Sequence, residues 1–373
     1  GPIRLEEFTS NQSATTLPLA NTLSVLFHFW QGRPVIENIG GCTANALLGR
    51  FTLASTELEK FGRQIASIEE NANPGILFFD VAYQMEKEVD NVNRRKQLYQ
   101  FELPILTWSC NDAPLNFDDI LVTVVGSEII LWSKKYQKRM VPRIPTAYNY
   151  NRSDLAVFRF LCDLQHQGIK SDLNFKFSYL FPNLSKYPRV CYKNVILSPA
   201  SWLLPDELLK AIKSDDPENG KIRLHEWLCN QGIDFPFKAG HSDKTLCFDP
   251  REDSDIHAFL SYCRQQGQQM IYISEALISD YQVISGNPAK VHVAQFIASY
   301  SHENQIYAPY ELVIPKENDH AARVIPPGDD WLYFEIYCHQ ARANSILNDR
   351  ISILLKQIKD KIHKWFFIRY EDP

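Results

Sequence analysis

The chain predicts an α+β fold of irregular mixed sheets with packed helices, followed by a truncated strand–helix–strand piece of a second domain. Three observations predict it. Period-two apolar runs and helical apolar faces are interspersed without a regular βαβ rhythm. A stretch rich in charge, Ala and Pro, 316–327, reads as a linker between the two parts. With 373 residues, 45% apolar and 22% charged, the chain has enough material for a sizeable core and two globular domains.

Residues 1–20 are polar and Ser/Thr-rich, which predicts irregular structure. Leu23 to Trp30 alternates loosely and reads as a strand, with Gln31-Gly32-Arg33-Pro34 as its turn. Gly40-Gly41-Cys42-Thr43 precedes a short helical stretch through Leu48. In Ser55 to Glu70, Leu58, Phe61, Ile65 and Ile68 recur at helical spacing behind a Ser55/Thr56 cap with Glu59 following. Gly75 to Tyr83 is a strand, and Ile120 to Trp132 is a hairpin about Gly126-Ser127. Asp154 to Gln167 is an amphipathic helix stopped by Gly168. Pro205 to Lys213 and Ile222 to Asn230 are further helices. The strand Lys244 to Phe248, the helix Asp255 to Gln266, the strand Met270 to Ile273 and an edge strand His292 to Tyr300 follow. Beyond the linker, Trp331 to Tyr337 and Trp365 to Tyr370 read as buried aromatic strands around a helix. Glu371-Asp372-Pro373 then reads as a turn into a partner strand, so the chain is expected to stop inside a domain. Gly1-Pro2 in place of an initiating Met fits an excised segment.

The formal net charge of −5 gives no global attraction to nucleic acid, so any RNA contact must come from a local basic patch. The eight cysteines contain no CxxC pair and read as reduced thiols buried as small hydrophobes. No apolar run is long enough for a membrane span, and no signal peptide is visible. The histidines lack HExxH or HxH spacing, so no metal site is expected. No GxxxxGK[ST] or GxGxxG loop and no triad order is present, so neither an ATP site nor triad chemistry is expected.

Several cations carry candidate chemistry. Arg50, set among Leu47, Leu48 and Phe51, needs an anionic partner, either a ligand or a structural carboxylate. Arg94 and Arg95, beside Lys96 and the polar Asn91 and Asn93, suit phosphate recognition or simply form a solvated loop. Lys134, Lys135, Lys138, Arg139 and Arg143 interleave with Tyr136, the composition of an RNA-tracking surface or of a solvated hairpin end. Asp118-Asp119 fits a strand-entry cap better than a paired-carboxylate site. Arg369, mid-strand between Ile368 and Tyr370, is costly there unless paired.

Several stretches, in order, carry a resemblance. These are Leu48-Gly49-Arg50-Phe51; Val89-Asp90-Asn91-Val92-Asn93-Arg94-Arg95 with Tyr99-Gln100-Phe101-Glu102; and Phe117-Asp118-Asp119-Ile120 with Val141-Pro142-Arg143. Tyr187-Pro188-Arg189-Val190, Val195-Ile196-Leu197-Ser198-Pro199-Ala200-Ser201-Trp202 and Pro327-Gly328-Asp329-Asp330-Trp331-Leu332-Tyr333 complete the series. Together they resemble the class I lantibiotic dehydratases. The resemblance implies that residues 1–325 are the C-terminal part of a glutamylation domain and 326–373 the start of an elimination domain. It implies transfer of glutamate from glutamyl-tRNA to Ser/Thr of a precursor peptide, then elimination to dehydroalanine or dehydrobutyrine. Carboxylate is a far better leaving group than hydroxide, and the elimination calls for a base and cationic stabilisation of enolate charge. Arg50 and Arg369 become the catalytic candidates. Arg94, Arg95, Lys134, Lys135, Lys138, Arg139 and Arg143 become the tRNA-binding ones. No cofactor is implied beyond glutamyl-tRNA as co-substrate. The implied partners are the precursor peptide, the tRNA, a lanthionine cyclase and a second copy of the chain, in the cytoplasm. Residues 1–373 alone are expected to be inactive. Two other readings stay open: a peptide aminoacyl-tRNA ligase without elimination, and a noncatalytic peptide- or tRNA-binding module.

Overall fold

The computed structural model describes residues 2–5, 17–83, 89–109, 111–214, 216–241, 244–267, 270–279, 293–312 and 334–367. It forms two compact units, Gly1–Leu312 and Val313–Pro373. The linker and the boundary expected after residue 325 lie outside the described residues.

In the first unit, β1 (Ile3–Arg4) is followed by a hairpin of β2 (Thr22–Trp30) and β3 (Arg33–Gly40). Its turn is only Gln31-Gly32, both at positive φ (50° and 71°), the pairing whose twist matches the two strands. Arg33 and Pro34, expected in the turn, therefore open β3. The short helix α1 (Asn45–Leu48) runs into a 3-10 turn, Gly49–Leu53. Helix α2 (Thr56–Ala72) starts where Ser55 Oγ accepts the Leu58 N–H at 3.3 Å, the expected cap. Then come β4 (Ile76–Tyr83), α3 (Asp90–Asn93), β5 (Phe101–Ile105), the hairpin of β6 (Ile120–Val125) and β7 (Glu128–Ser133), and β8 (Lys138–Arg143). Helix α4 (Ala156–Leu164) ends before Gly168, and α5 (Phe177–Leu180) is a single turn. Four short strands follow: β9 (Lys186–Tyr187), β10 (Val190–Tyr192), β11 (Val195–Ser198) and β12 (Ser201–Leu203). Helices α6 (Asp206–Lys213) and α7 (Pro217–Gln231), β13 (Phe237–His241), β14 (Lys244–Phe248), α8 (Asp253–Gln265), β15 (Tyr272–Glu275) and β16 (Phe296–Ser301) complete the unit.

These strands make three sheets, ordered β1-β10-β11-β3-β2-β16, β14-β13-β15-β12-β9 and β5-β4-β8-β7-β6. The first and third mix parallel and antiparallel pairs, and the second is antiparallel throughout. This is the α+β arrangement that the sequence predicts. In the second sheet, Trp202, Phe237 and Ile273 pack on Ile212, Leu224 and Phe259 of helices α6 to α8. The third sheet is covered on both faces, which is why β4 reads as a continuous apolar run. Leu77, Phe79 and Val81 pack with Phe158 and Leu161 of α4, whereas Ile76 and Phe78 face Ala66 of α2, Tyr99 and Tyr307.

The second unit holds helical turns at Ala343–Ile346 and Ser352–Gln357 joined by a π-helical stretch, Leu347–Ile351. The strands expected at Trp331 to Tyr337 and Trp365 to Tyr370 are described only at 334–337 and 365–367, and residues 331–333 and 368–370 lie outside the described residues. Neither 334–337 nor 365–367 is a strand, and Tyr337 is 90% and Phe366 69% exposed. A strand exists only by pairing, and the described residues of this unit offer no partner ladder. Arg369 lies outside the described residues.

Candidate functional site

Three segments converge at the C-terminal ends of β4 and β8. A Cβ on Gly49 would overlap the Pro145 carbonyl oxygen and come within 3.4 Å of Arg95 Cδ, so only glycine lets the Arg50 turn seat this closely. Thr52 accepts the Lys96 N–H at 3.0 Å and donates to the Gly49 carbonyl at 2.6 Å. Thr146 Oγ1 lies 3.0 Å from both the Val92 carbonyl and Asn93 Oδ1. Sequence candidates Arg50, Arg94 and Arg95 are thereby brought onto one locked patch. Arg50, Arg94 and Lys96 are exposed there, with the Arg50 guanidinium 4.7 Å above the Phe51 ring. Ala at position 49 should weaken that seating by about 1–3 kcal/mol, the usual cost of overpacking. Denaturant midpoints compared between Gly49→Ala and the parent chain measure it.

Arg95 is held from beneath by Asp80, a residue that sequence reasoning missed. Asp80 Oδ2 accepts the N–H groups of Leu98 (2.8 Å) and Tyr99 (3.2 Å), and Arg95 Nη2 stands 3.6 Å from Asp80 Oδ1. Arg95 also donates to the Val81 carbonyl at 2.9 Å. Complete burial pushes the Asp80 carboxyl up, opposed by the Arg95 charge and the two N–H donors. The available signal was a lone Asp inside the apolar run Ile76-Leu77-Phe78-Phe79-Asp80-Val81.

The basic run of β8 divides in two. Lys134, Lys135 and Lys138 are exposed, as an RNA-facing surface requires. Arg139 and Arg143 are not available, which corrects the expectation that they meet RNA. Arg139 is buried, ion-paired to Glu128, and donates to the Ala308 carbonyl at 3.2 Å. Arg143 is fully buried, with Nε 2.8 Å from Glu69 Oε2 and its guanidinium carbon 4.8 Å from the Phe78 ring centroid. The alternation of a strand covered on both faces turns 139, 141 and 143 inward together. Glu69 also accepts hydrogen bonds from Thr22 and, at 2.9 Å, from Tyr99, so the pair is fully partnered. Lys138 and Arg143 stand at opposite ends of β8, ~17 Å apart along the strand. The lysines and the Arg50 patch are therefore separate features of one sheet. Asp118-Asp119 lie in a 3-10 turn entering β6, and the cap expected of them is made instead by Asn116, whose Oδ1 accepts the Asp118 N–H at 3.2 Å.

Beside Arg143, His166 Nδ1 lies 2.9 Å from Cys42 Sγ and 2.7 Å from Ser171 Oγ. Burial pushes the Cys42 thiol up to about 12, which removes it as a nucleophile at neutral pH. Burial also lowers His166 below its ordinary 6.5. The unfolded chain then binds the extra proton more readily, so this group's contribution falls as pH drops below about 6.5 and is complete above it. Urea titrations at pH 5 and pH 7.5 should show that loss, and His166→Gln should flatten it. Cys162, Cys191 and Cys263 are buried as expected, whereas Cys229, Cys247 and Cys338 are exposed free thiols.

Residues 30–259, more than half of the chain, match the family model described as the lantibiotic dehydratase N terminus. The chain belongs to the lantibiotic dehydratase family. Residues 331–373 match a second model, the C-terminal part of lantibiotic biosynthesis dehydratases. Among curated relatives, the subtilin biosynthesis protein SpaB of Bacillus subtilis is 20% identical over 392 residues, covering all of this chain and 38% of SpaB. The nisin biosynthesis protein NisB of Lactococcus lactis subsp. lactis is 22% identical over 346 residues, covering 90% of this chain and 33% of NisB. The chain thus spans about a third of the length of the relatives it matches. Among solved structures, the tRNA-dependent lantibiotic dehydratase MibB from Microbispora sp. 107891 shares the fold, with a TM-score of 0.63 and 18% identity over 97% of this chain and 35% of that one. The glutamylation domain TbtB from thiomuracin biosynthesis, bound to 5′-phosphodesmethylglutamycin, aligns with a TM-score of 0.54 and 18% identity over 75% of this chain and 33% of that one. Among the described residues of this dehydratase-family chain, no helix is long and apolar enough to cross a membrane.

Proposed function

We propose that this chain supplies part of the glutamylation machinery of a peptide dehydratase in lanthipeptide biosynthesis. Glutamate is transferred from glutamyl-tRNA to Ser or Thr hydroxyls of a precursor peptide, and the ester is then eliminated to dehydroalanine or dehydrobutyrine. The observation that carries this reading is the patch at Gly49–Arg50 and Arg94–Lys96, built by the family-matching part of the chain. Exposed guanidinium groups on a locked backbone suit an anionic RNA end and the oxyanion that forms as the ester is transferred. The second family match favours a dehydratase over a ligase that stops at the amino acid adduct. No cofactor is needed beyond the charged tRNA, because the aminoacyl ester already carries the activation. Residues 1–325 and 326–373 are proposed as the glutamylation and elimination portions. Arg369 is proposed to line the elimination pocket. The cytoplasm, where aminoacyl-tRNA is made, is the proposed location, with a lanthionine cyclase and a second copy of the enzyme as further partners.

The test uses the full-length parent enzyme with its precursor peptide. Added glutamyl-tRNA should yield peptide heavier by one glutamyl group and then peptide lighter by one water. If the same dehydrated peptide formed with ATP and no tRNA, the reading would be wrong.

A further inference from the structure

At the end of the third sheet away from Arg50, a cavity of about 390 Å³ opens between the C-terminal end of α2 and the starts of β4, β5 and β8. Its lining residues combine three chemistries: aromatic Phe101 and Tyr136, acidic Glu70 beside the amide residues Asn71 and Gln100, and basic Lys138. The two rings meet at 4.8 Å between centroids and 60° between planes, and both are partly buried against the core beneath the third sheet. Lys135 Nζ stands 5.1 Å from the Tyr136 ring centroid, and Lys134, Lys135 and Lys138 are all exposed.

We infer that this cavity holds one unpaired nucleotide of single-stranded RNA, its base against Phe101 and Tyr136 and its phosphate beside Lys135 and Lys138. Aromatic side chains flanked by lysines are the means by which proteins hold unpaired bases, since every base has a π-face to stack. A bare polyanion would need only the lysines and would be repelled by Glu70. A base with an exocyclic amino group (adenine, cytosine or guanine) offers that carboxylate a further donor. Partial burial of Glu70 beside Glu69 raises its pKa, so a donor that satisfies it is favoured there. This inference rests on the tRNA-dependent reading and adds to it the place where an unpaired stretch of that RNA is gripped, at the other end of β8 from the patch at Arg50, a strand ~17 Å long.

The experiment is ultraviolet cross-linking of the full chain to deacylated glutamate tRNA, with peptide mapping, alongside anisotropy titrations of the same RNA. The cross-link should fall on the peptides containing Phe101 or Tyr136. Tyr136→Leu, which keeps apolar contact with Phe101, should weaken binding about tenfold, the scale of losing one stacked base. Tyr136→Phe should bind as the parent does, and cooperative thermal melts of both variants should show that the fold survives the loss of a ring packed on the core. Glu70→Gln should reduce the preference for adenine, cytosine and guanine over uracil in short oligonucleotides. Binding unchanged in Tyr136→Leu, with cross-links elsewhere, would overturn the cavity assignment and leave the tRNA reading standing. Absence of tRNA binding by the parent chain, with peptide glutamylation by the full-length enzyme intact, would overturn the cavity assignment as well. Failure of both binding and glutamylation would remove the two together.

Discussion

Arg143→Met is expected to cost about 3–5 kcal/mol of unfolding free energy, the effect of removing one member of a buried ion pair. Glu69 would remain fully buried, facing only the Thr22 and Tyr99 hydroxyls. The loss should exceed that of Arg139→Met, because the partner there, Glu128, keeps 39% side-chain exposure and can turn to solvent. Adding Glu69→Gln to Arg143→Met should restore much of the stability, since two neutral groups leave no uncompensated charge. Chemical denaturation of the two single variants and the double variant gives the coupling directly. A cost for Arg143→Met below about 1 kcal/mol would mean that Glu69 has access to water, contrary to the packing described.

The other large effect concerns activity. Replacing Arg50 and Arg94 together by Ala should lower glutamyl transfer by roughly 10²-fold or more, the scale of losing two charge-assisted contacts. Stability should change by less than about 0.5 kcal/mol, because both side chains are exposed. Lys134→Gln with Lys135→Gln should act differently. It should weaken RNA binding and reduce its salt dependence without changing the rate at saturating RNA. Steady-state kinetics at several salt concentrations separates the two pairs.

Much of the fold was legible from residues. The helix behind Ser55, the hairpin at Gly126-Ser127 and the strand at Gly75 to Tyr83 were marked by capping, turn chemistry and periodicity that tertiary packing did not override. What escaped has identifiable physical causes. Strands β9 to β12 are two to four residues long, too short for a period of two to show. Arg139 and Arg143 were read as exposed because a run of cations looks solvated. That strand is covered on both faces, and buried Glu69, distant in sequence, and half-buried Glu128 on the neighbouring β7 neutralise it. Asp80 went unnoticed because its partners, Arg95 and the Leu98 and Tyr99 amides, meet it only through the return of the chain into β5. The aromatic run at 365–367 was read as a strand from composition alone, and composition does not supply a pairing partner.

Uncoupling the two chemical steps in the full-length enzyme is the decisive measurement. The Arg50→Ala, Arg94→Ala enzyme would be given two substrates: precursor peptide with glutamyl-tRNA, and peptide already carrying the glutamyl ester. Loss of glutamylation with elimination of the preformed ester preserved is the expected pattern. Glutamylation at the unmodified enzyme's rate, or equal loss of both steps, would show that the patch at Gly49–Arg50 and Arg94–Lys96 is not the glutamyl-transfer site.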